Sequence, residues 1–88
     1  MNTSGGVLTN EVKASNAQFS GNDLVITLSD GRVLSVPMDK VEWLHWLLQA
    51  TPEQRARWHI EPGGFAVYWD DLDDGVEINH LLATVSLA

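Results

Sequence analysis

The densest group of side chains that could do chemistry is a short acidic run near the C-terminus. It consists of Asp70, Asp71, Asp73 and Asp74, and Glu77 follows shortly after. Hard cations such as Ca²⁺ prefer clustered carboxylates, but a calcium loop that begins at Asp71 would have Gly75 at its fifth position and Leu82, not an acid, at its twelfth. We therefore interpret the run as a solvated loop that favours the N-terminus of a following helix and could bind basic residues of a partner.

No other set of side chains has the spacing of a catalytic or metal site. The three histidines, His45, His59 and His80, form no i, i+4 pair of the kind that binds zinc on a helix. No serine lies in a Gly-x-Ser-x-Gly elbow, and Gly63-Gly64 lacks the lysine and hydroxyl residue of a phosphate loop. Acid–base catalysis needs carboxyl groups in different environments, whereas these crowd on one loop. We expect no enzyme activity, no metal and no cofactor.

The four tryptophans among the 88 residues are the feature most informative about function. Tryptophan is enriched both in small hydrophobic cores and at the central contacts of protein interfaces. Trp43 and Trp46 share a predicted helix with several leucines, and this apolar stripe is too wide for one buried face. Two alternatives stay open: all four indoles, including Trp58 and Trp69, belong to the core, or at least one lies in a dimer or partner interface.

The charge balance favours a protein partner over nucleic acid. Twelve acidic and five basic residues give a formal net charge of −7. Binding to phosphate backbones depends on clustered Lys and Arg, and only Arg55 and Arg57 lie close together here. We expect no direct nucleic-acid ligand. A more basic protein suits this charge because complementary fields speed encounter, while the simpler interpretation of an acidic surface is solubility.

Length and composition predict one small domain. A chain of this size buries only about 60–65% of its unfolded surface, enough for one modest core. No apolar run approaches the roughly 20 residues that span a bilayer, so no membrane association is expected. The absence of cysteine excludes disulfides and suits a reducing cytoplasm. Residues 1–10 lack the features of a secretion signal and are expected to be a flexible tail, with the domain over residues 11–88.

Three strands are predicted in the first half of the chain. Over residues 12–19 the apolar side chains change faces, so this strand needs a bulge or is short. The alternation over residues 24–28 is the clearest strand signal. The hairpin turn Ser29-Asp30-Gly31 then leads into a strand over residues 32–36, which Pro37 closes.

Two helices are predicted next. Asp39 is expected to cap a helix that contains Trp43 and Trp46. Thr51 is expected to begin a second, short helix, because Pro52 suits the first helical position and Gln54 can complete a capping box.

A second hairpin and a last helix complete the prediction. Glu61-Pro62-Gly63-Gly64 predicts a type II turn between strands that include Trp58 and Trp69. After the acidic run, apolar residues recur at helical spacing, and either Asp74 or Glu77 is expected at the cap position. The order predicts an α+β fold: a small antiparallel sheet, made of a three-stranded meander plus the C-terminal hairpin, with two to three helices packed on one face.

Several of these segments, in this order, carry a resemblance to a known family. They are Ser29-Asp30-Gly31-Arg32, Val36-Pro37-Met38, Ala50-Thr51-Pro52-Glu53-Gln54-Arg55 with Trp58, Tyr68-Trp69, Leu72-Asp73-Asp74 and Leu81-Leu82. Their succession, more than any one motif, resembles the bacterial domain-of-unknown-function family numbered 2442, over residues from about 11 to 83.

The resemblance implies a compact α+β domain with no established catalytic residues, found alone or attached to a helix-turn-helix DNA-binding domain. Stand-alone members are often encoded beside another small protein, of the unknown-function family numbered 4160, in a toxin–antitoxin-like arrangement. Because the sequence leaves no room for a helix-turn-helix after residue 83, we expect the stand-alone form.

The leading hypothesis is a non-enzymatic protein-interaction module, the antitoxin-like member of such a pair. Its expected partner is a small, more basic protein or a second copy of the chain. The residues expected to bind that partner are Trp43, Trp46, Asp70, Asp71, Asp73 and Asp74. The alternative is a regulatory or small-ligand-sensing domain with a pocket between sheet and helices, and a homodimer with no further role is a third option.

Overall fold

Six strands form two antiparallel sheets. A computed structural model describes residues 12–86, so the predicted tail over residues 1–10 lies outside the described part of the chain. The first sheet contains β1 (Ala14–Ser20), β2 (Asp23–Leu28) and β3 (Val33–Pro37), and the second contains β4 (Trp58–Ile60), β5 (Ala66–Trp69) and β6 (Asp74–Glu77). Each sheet has three strands, in the order in which they occur along the chain.

Short helices connect and follow the sheets. A 3-10 turn at Glu42–Leu44 continues into α1 (His45–Leu48), which is followed by α2 (Pro52–Ala56) before β4. A second 3-10 turn, Asp70–Leu72, separates β5 from β6, and α3 (Ile78–Ser86) comes last. The predicted α+β class is confirmed, with the strands divided between two sheets.

The first sheet has the predicted local irregularities. The pairing of β1 with β2 shifts between Ala14 and Asn16, which is the bulge expected from the change of apolar face. Between β2 and β3, the Leu28 N–H donates to the carbonyl of Arg32 (2.8 Å), and the Gly31 N–H donates to the carbonyl of Leu28 (3.0 Å). Gly31 has a φ of 94°, as the last residue of a three-residue hairpin loop requires.

The second sheet contains one strand more than predicted. The hairpin is confirmed: Trp58 pairs with Trp69, and its turn is closed by the Gly64 N–H, which donates to the carbonyl of Glu61 (2.8 Å). The segment Asp74–Glu77, predicted as loop and helix cap, instead pairs with β5 as β6. This pairing places Val76 in the core with 1% of its surface exposed, and burial of that apolar surface stabilises the fold. The acidic residues around Val76 gave no indication of this burial in the sequence.

One predicted helix cap is wrong, and one of the two alternatives for another is excluded. Asp39 is not a cap, because helical structure begins only at Glu42, with Val41 before it and no side-chain cap bond. The reason is a turn in which the Lys40 N–H donates to the carbonyl of Pro37, which delays the helix. Of the two alternatives for the cap of α3, Asp74 is wrong because it lies at the start of β6, whereas Glu77 is the residue immediately before α3.

The capping box at the start of α2 is confirmed. The Thr51 hydroxyl oxygen accepts from the Gln54 N–H (3.1 Å), and the Gln54 side-chain oxygen accepts from the Thr51 N–H (3.0 Å). Two backbone donors at the start of the helix are thereby satisfied.

Both sheets and the helices share one hydrophobic core. β2 alternates strictly, so that every second side chain is buried, and the helical segments add Leu44, Leu47 and Leu81. The fully buried side chains are Trp69, Leu24, Ile26, Leu28, Met38, Leu44, Leu47, Ile78, Leu81, Val36, Val67 and Val76. Trp69, the largest of them, lies at the end of β5, immediately before the acidic run.

Arg55 connects the core elements. Its Nε donates to the carbonyl of Leu47 (3.0 Å) and its Nη2 to the carbonyl of Leu48 (2.9 Å), at the end of α1. Its guanidinium lies over the ring of Phe19 in β1, 5.1 Å from the centroid. Its own carbonyl accepts from the indole N–H of Trp69 (3.0 Å). One residue therefore holds α1, β1 and β5 in place.

A close backbone approach joins the two sheets. The Ala14 N–H of β1 donates to the carbonyl of Gly64, in the turn between β4 and β5 (2.8 Å). Gly64 has a φ of 82°, and a Cβ atom there would lie 2.8 Å from Cβ of Lys13. Glycine is thus required at this position both by the backbone angle and by the side chain of Lys13, just before β1.

We predict that Arg55→Lys lowers the free energy of unfolding by about 1.5–3 kcal/mol, because an ammonium cannot bond both carbonyls and cover the Phe19 ring at once. Chemical denaturation measures the change. The control is Arg57→Lys, whose more exposed ion pair with Asp71 is worth less than about 1 kcal/mol. Equal losses in the two variants would contradict the connecting role of Arg55.

We also predict that Gly64→Ala destabilises the protein by at least about 1 kcal/mol more than Gly31→Ala. Both changes place a side chain at a positive φ, which costs about 1–2 kcal/mol. Only the Cβ at residue 64 also meets Lys13, whereas the Cβ at residue 31 has nothing within 4 Å. Thermal and urea unfolding of the two variants would show whether the difference exists.

Candidate protein-binding surface

The acidic run is positioned by the end of β5. Trp69 is fully buried, so the 3-10 turn Asp70–Leu72 starts where the strand leaves the core. Asp73 follows with a left-handed backbone (φ 52°), a conformation that short polar side chains tolerate. Asp74 then begins β6. Three of the four aspartates therefore occupy one tight connection between paired strands, and the fourth is the first residue of the second strand.

Two aromatic side chains of the second sheet lie beside this connection. His59 and Tyr68 pair across β4 and β5, with their rings 5.7 Å apart. Because side chains alternate along a strand, Tyr68 projects from the face opposite to the buried Val67 and Trp69. The exposed side of this sheet thus presents an imidazole and a phenol next to the aspartates.

Carboxylates surround both rings. The Tyr68 hydroxyl donates to Oδ1 of Asp73 (2.6 Å). Nε2 of His59 lies 2.7 Å from Oε2 of Glu61, and Nδ1 lies 3.4 Å from Oδ2 of Asp70. We call this surface the acidic face; its members are His59, Glu61, Tyr68, Asp70 and Asp73, together with the exposed Asp74, whose charge also acts on Tyr68.

The four aspartates of the run differ in what they contact. Arg57 Nη1 bonds Oδ2 of Asp71 (2.9 Å), and the Asp71 side chain is only 34% exposed. Asp70 has 72% of its side chain exposed, and within residues 12–84 no Lys or Arg pairs with it. Asp74 Oδ1 accepts from the N–H of Gly75 (2.8 Å) and the residue is exposed. Asp70 and Asp74 are consequently more available to a partner than Asp71.

The hydrogen bond to Asp73 raises the pKa of Tyr68 to about 12, with desolvation and the charges of Asp73, Asp70 and Asp74 adding to the effect. The phenol therefore stays neutral and acts as a donor to the carboxylate at physiological pH. A neutral Tyr68 also leaves the negative charge of the acidic face to the carboxylates alone.

Trp43 and Trp46 form a second group. The Trp43 indole stacks on the imidazole of His80 in α3, with ring centroids 4.0 Å apart and planes 7° from parallel. The Trp46 indole N–H donates to the carbonyl of Trp43 (2.9 Å), and its ring forms a T-shaped pair with that of Trp69, with centroids 5.8 Å apart. Both side chains are half-buried against the core. They pack the segment around α1 against α3 and β5.

The residues predicted as one binding set therefore fall into two groups. Within residues 12–84, no hydrogen bond, ion pair or ring contact joins Trp43 or Trp46 directly to the acidic run; Trp69 links them, because it touches Trp46 and precedes Asp70. Sequence reasoning missed His59, Glu61 and Tyr68. The two-residue period of β4 and β5 is the signal that could have placed His59 and Tyr68 on one exposed face.

The arrangement fits surface recognition. Among residues 12–86, no group of three His, Asp or Glu side chains is placed to hold a metal ion. No helix in the same part of the chain has both the length and the apolar character needed to cross a membrane. The acidic face can accept hydrogen bonds and ion pairs from a cationic surface, and its two rings provide flat contact area.

Comparison with protein families matches residues 14–85 to one described as "Protein of unknown function (DUF2442)". This chain belongs to the DUF2442 family. The match covers both sheets and nearly all of α3, and it confirms the resemblance inferred from the motifs. Comparison with curated proteins gives no match.

Two solved structures resemble the DUF2442 fold of this chain. One is the crystal structure of a protein of unknown function from Rhodospirillum rubrum, with a TM-score of 0.68 and 20% identity, over 83% of this chain and 87% of that one. The other is the solution NMR structure of an uncharacterized protein from Chromobacterium violaceum, with a TM-score of 0.69 and 27% identity, over 89% of this chain and 72% of that one. Both support the fold.

We predict that Asp73→Asn lowers the Tyr68 pKa from about 12 towards 10.0, because the amide removes the negative charge that opposes the phenolate. Tyr68 is the sole tyrosine, so the absorbance of tyrosinate during a base titration reports it alone. The bond stabilises the fold fully below pH 10.0, and this contribution is lost as the pH rises towards about 12. An unchanged titration in Asp73→Asn would contradict the contact.

Proposed function

We propose that this protein is a non-enzymatic protein-interaction module that works in the cytoplasm as the antitoxin-like member of a small two-protein pair. Its acidic face binds a small, more basic partner. The observation that carries the proposal is the grouping of Glu61, Asp70 and Asp73 around His59 and Tyr68 on the exposed side of the second sheet.

The charge of the surface supports this proposal. The whole chain has a net charge of −7, and Arg57 neutralises Asp71 while leaving Asp70 without a Lys or Arg partner in the described residues. Such a field raises the rate of encounter with a basic protein and disfavours acidic ones. Lys or Arg side chains of a partner can replace the water around Asp70 and Asp74 at little structural cost.

The aromatic side chains supply apolar contact area, which the charged groups lack. Exposed ion pairs contribute little to affinity, whereas tyrosine combines apolar area with a polar tip and is frequent at the central contacts of interfaces. Tyr68 is held by Asp73 and lies on a paired strand, so it loses little freedom on binding. The half-exposed sides of Trp43 and Trp46 are proposed as a second contact, either with the same partner or with a second copy of the chain.

The test is co-expression with any small protein that is found to be encoded next to this one, followed by calorimetric titration of the purified pair. We predict that Asp70→Lys with Asp74→Lys weakens the complex by at least about tenfold, because two cations then face a basic partner. Raising the salt concentration should weaken the wild-type complex in the same direction.

The matched control is Asp39→Lys with Glu53→Lys, which changes the net charge equally at two exposed sites outside the acidic face. The control complex should retain most of its affinity. If the two double variants weaken the complex equally, net charge alone explains the loss of affinity, and a defined binding site is contradicted. Full affinity in Asp70→Lys with Asp74→Lys would remove the acidic face from the interface.

A further inference from the structure

A groove separates the first sheet from α2 and shares no lining residue with the acidic face. It has a volume of about 350 Å³ and is lined by residues 17–19 of β1, by Pro52, Arg55 and Ala56 of α2, and by Trp58. Phe19 and Trp58 are half-buried, so each offers part of a ring to this space. The walls are therefore mainly apolar and aromatic.

Arg55 is the one charged side chain in the lining. Its Nε and Nη2 donate to Leu47 and Leu48, and these bonds fix the guanidinium in place. Nη1 has no hydrogen-bond partner among residues 12–84, and no buried side-chain nitrogen in that range lacks a partner, so Nη1 must reach solvent. A fixed cationic donor thus lies beside an apolar groove.

We propose that this groove binds a small aromatic carboxylate. The carboxylate accepts from Nη1 of Arg55, and the ring packs against Trp58 and Phe19. Because the guanidinium is already oriented by two carbonyls, binding does not have to order it, and a charge-assisted hydrogen bond gains in strength from apolar surroundings.

The dimensions and the charge select this class of ligand. Small-molecule sites occupy about 300–1,000 Å³ and combine apolar walls with a few placed polar groups, and this groove lies at the small end of that range. The positive charge of Arg55 disfavours a cationic ligand. A highly charged anion such as a nucleotide is also disfavoured, because a single guanidinium would have to offset its repulsion by a chain of net charge −7. A single carboxylate on one or two rings matches both the volume and the charge.

The experiment is a titration of the isotopically labelled full chain, followed by NMR, with naphthylacetate and with its neutral counterpart naphthylacetamide. A ligand of this size in an open groove should bind with a Kd on the order of 1 mM or tighter. Naphthylacetate should shift the amide signals of residues 17–19 and 52–58, and bind at least about fivefold more tightly than the amide.

Gln18→Glu tests the charge without removing Arg55. Gln18 is exposed, lines the groove, and has nearly the same shape as glutamate. The variant should bind naphthylacetate several-fold more weakly, roughly two- to fivefold, and naphthylacetamide as the wild type does. The control is Glu53→Gln, which changes a charge on α2, the helix that contains Arg55, at a residue that does not line the groove. It should leave the affinities for both compounds unchanged.

Any of the following results would overturn the inference. They are equal affinity for the acid and the amide, shifts that map away from the groove, and identical acid binding by the wild type and Gln18→Glu. Binding of a peptide with a free C-terminal carboxylate but not of naphthylacetate would also overturn it, since a partner protein would then be the ligand. None of these results depends on the acidic face, so the outcome is independent of the proposed protein partner.

Discussion

The contacts of Arg55 are the constraint on which the rest of the structure depends. A four-residue helix has little stability of its own, because nucleation costs more than so few hydrogen bonds return. α1 is held instead by the guanidinium that bonds Leu47 and Leu48 and covers Phe19. Trp69 is tied to the same residue through its indole N–H. Removing this one side chain would release the end of α1 and uncover the Phe19 ring, whereas the bond from Trp69 to the backbone carbonyl would remain.

Both proposed sites follow from that constraint. Trp69 is fixed at the end of β5, so the acidic run leaves the core at a defined point, and the aspartates meet Tyr68 and His59 on the outer face of the sheet. On another side of Arg55, the gap between β1 and α2 becomes the groove. The packing that stabilises the core therefore also orients the polar groups that can bind, since fixed donors and acceptors lose little freedom on association.

Predictions from the sequence were correct where the interacting residues lie within a few positions of each other along the chain. The capping box of Thr51 and Gln54, the turn over residues 61–64 and the bulge in β1 were all predictable, because each is set by short-range sterics and hydrogen bonds. The cap at Asp39 failed because a turn closed by Lys40 delayed the helix. β6 was missed because Val76 gains its burial only by pairing with Val67 of β5, and its acidic neighbours suggest a loop.

The sequence by itself determined the α+β class, the strongly negative charge and the family, because alternation, turn residues, composition and motif order depend on the chain alone. Only the tertiary structure decided which carboxylates pair with an arginine. Within residues 12–84, Asp71 meets an arginine fourteen positions away and Asp70 meets none, a difference created by strand pairing. His59 and Tyr68 become neighbours for the same reason. The register of the paired strands brings residues that are far apart in the sequence into contact. The sequence alone does not reveal that register.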